Sequence, residues 1–164
     1  MSAKSLIDLL EGHLKLHKGL LQLANKKTES LKKGDIEALT AIMKEEQKYI
    51  AAVKQIERER ILAVEKILSS LGHTQTEPTL TICIELMEEP ERSALEILRD
   101  KLLAVVAELR NINQLNQQLL QQSLQFVNMT LDMIMPKRQE VNYRKPNMAP
   151  SSYEGSRSLF DSKA

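Results

Sequence analysis

Apolar residues recur near the start of the chain at Leu6, Leu9, Leu10, Leu16, Leu20, Leu23 and Leu31, the three-and-four spacing of an amphipathic helix. The pattern predicts a first helix over 3–33 that tolerates Gly12 and Gly19. It stops at Leu31-Lys32-Lys33-Gly34, where two lysines offset the exposed carbonyl dipole and a glycine suits the left-handed position after a helix. Asp35 then offers its carboxylate to the free N–H groups of a second helix. A stop followed at once by a start predicts a tight antiparallel hairpin. The second helix, over 36–71, carries Leu39, Ile42, Tyr49, Val53, Ile56, Ala63 and Ile67 along one seam and ends at Gly72. Glu46 and Arg60 interrupt that seam. Polar residues at such positions fix register at some cost in stability; the plainer expectation is that both side chains snorkel past the seam into water.

Residues 73–89 break the pattern. Leu80, Ile82, Ile84 and Leu86 alternate like a strand, but no second strand exists to pair with them, so the segment reads as a loop with a short helix capped by Thr79. Pro90 stands at the next helix start, with Glu88, Glu89 and Glu91 beside the positive end of its dipole. From Glu91 to Met135 there are 45 residues without Gly or Pro, fenced by Pro90 and Pro136. A single helix of that length spans roughly 68 Å.

The third long helix has a main seam at Leu95, Leu98, Leu102, Val105, Leu109, Ile112, Leu119, Phe126 and Met133, diluted in the distal half by Asn116, Ser123 and Thr130. A second stripe appears only distally, at Leu120, Leu124, Val127, Leu131 and Met135. Between Asn111 and Leu131 no residue is ionisable, and Asn and Gln fill ten of the eighteen positions from Asn111 to Asn128. A face meant only for water usually carries Lys and Glu. Either this helix is the central member of a three-helix bundle and buries one stripe against each neighbour, or part of it stays open to receive an amphipathic helix from another protein. Amides favour the second, since covering Asn and Gln forfeits less solvation than covering charges.

Composition narrows the functional classes. With no Trp, two Phe and three Tyr, the core is aliphatic and a small-molecule pocket is disfavoured. A net charge of +1 lacks the positive field that nucleic acid requires. One cysteine cannot form an internal disulfide, Asp8 and Glu11 spoil a signal-peptide core, and no apolar run approaches membrane-spanning length. The expectation is a reduced, soluble, cytoplasmic protein.

Candidate chemistry is sparse. His13 and His17 lie four apart, a spacing that puts two imidazoles on one helix face, but a zinc site needs further ligands and the sequence places none. The pair reads as ordinary helix-surface residues, and no metal is expected. Cys83 has no activating base nearby. There is no Gly-rich phosphate loop, nucleophile elbow or Cys-x-x-Cys, so neither a catalytic residue nor a cofactor is assigned. Glu45-Glu46 and the run Glu57-Arg58-Glu59-Arg60 read as solvated helix charges with local pairing.

Beyond Pro136 the chain turns rich in proline and serine and carries net +3, against −2 for residues 1–135. The division is therefore a helical bundle over 1–135 and a flexible tail over 136–164. Tyr143, Met148, Tyr153, Leu159 and Phe160 are apolar anchors spaced along that arm, either a short linear motif or incidental to a spacer.

The hairpin Leu31-Lys32-Lys33-Gly34-Asp35-Ile36 followed by Leu39 forms the first part of a pattern. Glu45-Glu46 and Glu57 to Arg60 on the second helix extend it, and Asn113, Asn116, Leu119 and Leu120 on the third complete it, with Tyr153-Glu154-Gly155 in the tail. Together these features resemble the FlgN family of flagellar type III export chaperones. The resemblance implies an all-α, antiparallel three-helix coiled-coil bundle with a long third helix. It implies binding to the helical C-terminal ends of the hook-filament junction proteins FlgK and FlgL, holding them from premature assembly, and delivery to the export gate at FlhA. Carried onto this chain, the client surface comprises Asn113, Asn116, Gln117, Leu120, Leu124, Val127, Leu131 and Ile134. Tyr143, Tyr153, Leu159 and Phe160 would contact the gate. The alternative is a structural or adaptor coiled coil that homodimerises through the same seams.

Overall fold

The computed structural model describes residues 2–74 and 77–135. Four helices and, among the described residues, no strand make it an all-α structure: α1 (Ala3–Lys33), α2 (Ile36–Ser70), α3 (Leu80–Glu85) and α4 (Glu91–Ile134). The chain divides into two units, Met1–Asn128 and Met129–Ala164, and the second is described only over 129–135.

Local chemistry sets the helix ends. Ser2 caps α1, its hydroxyl accepting from the Ser5 N–H. At the other end Gly34 takes φ 69°, its N–H donates to the Leu31 carbonyl, and the Asp35 N–H reaches back to Ser30. These paired bonds satisfy carbonyls that the helix leaves free. Asp35 at once accepts from the Ala38 N–H at 2.9 Å and starts α2. The alternating Leu80–Leu86 stretch is a helix, with Thr79 as its cap accepting from the Ile82 N–H.

The core of the first unit lies at one end. Leu6 and Leu10 of α1, Ala63, Val64, Ile67 and Leu68 of α2, Cys83 and Ile84 of α3, and Leu95 of α4 form one buried cluster. Leu98 and Leu102 pack against its margin. Fully burying a leucine side chain contributes about 1.5–3 kcal/mol, so this end holds most of the hydrophobic stabilisation. Away from it, α1 and α2 come together over glycines. A Cβ on Gly12 would lie 2.7 Å from Ile56 Cδ1, and one on Gly19 would lie 2.3 Å from Tyr49 Cε1. Gly12 and Gly19 are seven residues apart, as are Tyr49 and Ile56, so each large side chain settles over a missing one.

The polar residues of the α2 seam do not snorkel into water. Lys27 Nζ pairs with Glu46 Oε2 at 3.1 Å, both largely buried, which ties α1 to α2. Arg60 folds onto Glu57, with Nη2 2.6 Å from Oε1 and Nε 2.8 Å from Oε2. Glu46 thus bridges the two helices, while Arg60 is paired locally along α2.

Candidate functional site

Two polar constellations and one apolar face stand out. In the first, His13 is buried at 7% exposure and its Nε2 donates to Glu57 Oε2 at 2.9 Å. His17 stacks on it with ring centroids 4.7 Å apart, and the two Nδ1 atoms are 3.1 Å apart. The His17 Nδ1 also lies 3.0 Å from the His13 carbonyl. One arrangement satisfies all three contacts: His17 Nδ1–H donates to that carbonyl, leaving His13 Nδ1 as a lone-pair acceptor and His13 Nε2–H to donate to Glu57. The histidines are thus packed groups inside the hairpin, and not the helix-surface pair that their spacing suggested. Glu57 is likewise more than a solvated charge, since it joins α1 to α2 through His13.

Burial alone would raise the Glu57 carboxyl, but hydrogen bonds from Arg60 and His13 outweigh it and hold the group at about 2. Burial lowers His17 from its ordinary value. Among the described residues no group of three or more His, Cys, Asp and Glu side chains could hold a metal ion. Cys83 is wholly enclosed and its thiol is pushed up by burial, which leaves it unreactive.

The second constellation fixes α4. Asn116 Nδ2 donates to the Ala24 carbonyl at 2.9 Å, and the Thr28 hydroxyl donates to Asn116 Oδ1. Asn116 and Thr28 are both buried, so the amide is enclosed and satisfied on both sides. Sequence reasoning put Asn116 on an open client surface; the structure turns it inward onto α1. Ala24 and Thr28, its partners about ninety positions away, carried no signal in the sequence. Since Leu95 packs with Leu6 and Leu10 and Asn116 sits level with Ala24 and Thr28, α4 runs in the direction of α1.

That register determines what is left uncovered. Lys33, the last residue of α1, lies five positions beyond Thr28, so α1 ends level with about residue 122 of α4. At 100° per residue, Leu120, Leu124 and Val127 fall about 40°, 80° and 20° from Asn116, on the side of α4 that α1 covers lower down. They are 43%, 56% and 50% exposed. The inward face of α4 therefore continues past the helix that covers it. Phe126, assigned to the main seam, is 65% exposed, because that seam also outruns the hairpin.

Of the other residues assigned to a client surface, Asn113 and Gln117 are exposed on α4. In the second unit Leu131 and Ile134 are exposed. Tyr143, Tyr153, Leu159 and Phe160 lie outside the described residues. Sequence reasoning also missed an open concavity of about 640 Å³ at the hairpin end, lined by Asn25, Lys26 and Glu29 of α1 and Ala38, Ala41 and Ile42 of α2. It depends on how α1 and α2 are set against each other. Among the described residues no helix is long and apolar enough to cross a membrane.

Comparison with known proteins finds a family and a full-length relative. The family model described as FlgN protein matches residues 1–151. The chain is 38% identical over 164 residues to the Bacillus subtilis (strain 168) protein described as uncharacterized protein YvyG, covering all of both chains. No solved structure matches.

Proposed function

Because the chain belongs to the FlgN family, we propose that it is a cytoplasmic flagellar export chaperone, without catalysis, for the C-terminal helical ends of FlgK and FlgL. The observation that supports this reading is the open inward face of α4, half-exposed at Leu120 and continuing past α1 at Leu124 and Val127. The face lies in a stretch with no ionisable side chain from Asn111 to Leu131. An aggregation-prone amphipathic segment of the client exchanges self-association for burial here, at about 25 cal/mol per Å² of apolar area before ordering costs. In the first unit Asn113 and Gln117 provide an amide rim, and in the second unit Leu131 and Ile134 are assigned to the client as well. Asn116, enclosed against α1, contributes by setting where the open face begins. In the same reading Tyr143, Tyr153, Leu159 and Phe160 contact FlhA at the export gate.

Co-purification with the C-terminal segments of FlgK and FlgL, followed by size exclusion with light scattering, tests this directly. A stable one-to-one complex is expected with at least one of them. Failure with both, alongside a stable homodimer, assigns the protein instead to structural or adaptor coiled coils.

A further inference from the structure

We infer that the open face of α4 is shaped for a helix that takes over from α1. The occupant is an amphipathic client helix lying parallel to α4, with its N-terminal turn next to the C-terminal end of α1. The inference rests on the chaperone reading and adds to it a direction and a chemistry.

Continuity of an existing interface supplies the first argument. α1 lies on α4 with the polarity and register fixed by Asn116, Ala24 and Thr28. Leu124 and Val127 prolong that same side of α4 beyond the level at which α1 stops, and Leu120 lies half-exposed at its edge. A helix entering there meets the surface that α1 itself would have met had it run on.

The end of α1 supplies the second. α1 presents a C-terminal dipole end, with exposed Lys32 and Lys33 in its last turn and Gly34 closing it. A client helix parallel to α1 sets its positive N-terminal end against that negative end, and acidic residues in its first turn complement both its own dipole and the two lysines. The reverse orientation brings two carbonyl ends together. Along the contact, the absence of ionisable residues between Asn111 and Leu131 selects a client face of apolar and small uncharged side chains, since a charge there would be covered without a partner.

A second copy of this chain is a poorer fit. Its α4 carries a hairpin on the same inward side, so a parallel copy would bring that hairpin into the space α1 occupies. Only an antiparallel arrangement avoids the overlap, and polarity therefore separates the two occupants.

The test uses the full chain with Lys33→Cys, an exposed change at the α1 terminus. Cys83 is left in place, because it is fully enclosed. The probes are FlgK C-terminal segments carrying one cysteine at either the N-terminal or the C-terminal end of the binding helix, joined by a short bis-maleimide and read by mass spectrometry. The N-terminal probe is expected to cross-link at least tenfold faster. Faster reaction of the C-terminal probe overturns the inferred direction. A stable complex in which neither end reacts puts the client away from the hairpin and overturns the inference while leaving the chaperone reading intact. If the unmodified protein binds neither FlgK nor FlgL segments, the chaperone reading itself fails.

Discussion

The ring of Tyr49 rests on Gly19 so closely that a Cβ there would approach Cε1 to 2.3 Å and Cζ to 2.8 Å. The comparable approach at Gly12 is to the tip of a flexible side chain, Ile56 Cδ1. Both glycines sit in the middle of a helix, where replacement by alanine is favoured by about 1 kcal/mol on propensity alone. At Gly12 the isoleucine tip turns aside and Gly12→Ala is neutral or stabilising. At Gly19 the rigid ring resists and overpacking of about 1–3 kcal/mol outweighs the gain. The urea midpoint of Gly12→Ala is expected at or above that of the unsubstituted protein and that of Gly19→Ala below it.

Asn116 is enclosed with both amide groups bonded. Asn116→Ala strips the Ala24 carbonyl and the Thr28 hydroxyl of a partner and is expected to cost about 1–3 kcal/mol. Joint replacement, Asn116→Leu with Thr28→Val, removes the buried polar groups together and recovers most of that loss. A double-mutant cycle by chemical denaturation measures the coupling.

Acid acts on the hairpin in two windows. The folded-state pKa of His17 lies below its ordinary value, so its contribution is complete above about 6.5 and is lost as pH falls below that. Glu57, held at about 2, contributes stability present above its unfolded value of 4.5 and lost as pH falls from there toward 2. Melting temperature against pH should therefore show two separate declines. His17→Gln removes the upper one and Glu57→Gln the lower. Because Glu57 is part-exposed, the lower decline is smaller than the shift alone suggests.

Leu124 and Leu95 lie on one helix and should respond in opposite ways. Leu124→Lys changes an exposed position and is expected to leave stability within about 0.5 kcal/mol while abolishing capture of FlgK and FlgL segments. Leu95→Ala empties a fully buried site and is expected to cost about 2–5 kcal/mol. Circular dichroism melts and pull-downs on the same preparations separate the two effects. Unfolding by Leu124→Lys would count against an open face.

What the sequence revealed was local. Lys32-Lys33-Gly34-Asp35 and Thr79 announce their caps because the groups they satisfy are within a few residues. The burial of His13 was not legible, since its partner Glu57 is 44 positions away and meets it only once α1 and α2 are in register. The same holds for Asn116, which reads as one more amide until Ala24 and Thr28 are set beside it. One signal was available and went unused: Gly12 and Gly19 match the seven-residue spacing of Tyr49 and Ile56, a pattern expected where two antiparallel helices approach closely. The open face was half legible. Its composition pointed outward, but its extent follows from where α1 stops.

Cys83 gives the molecule a native clock. It lies wholly inside the cluster that joins all four helices, on the short helix that closes the end away from the hairpin turn. A thiol reagent reaches it only when that end comes apart, so its labelling rate in native buffer counts openings of the core without any engineered reporter. Events confined to the open face leave the count unchanged; a ligand that steadies the whole bundle slows it.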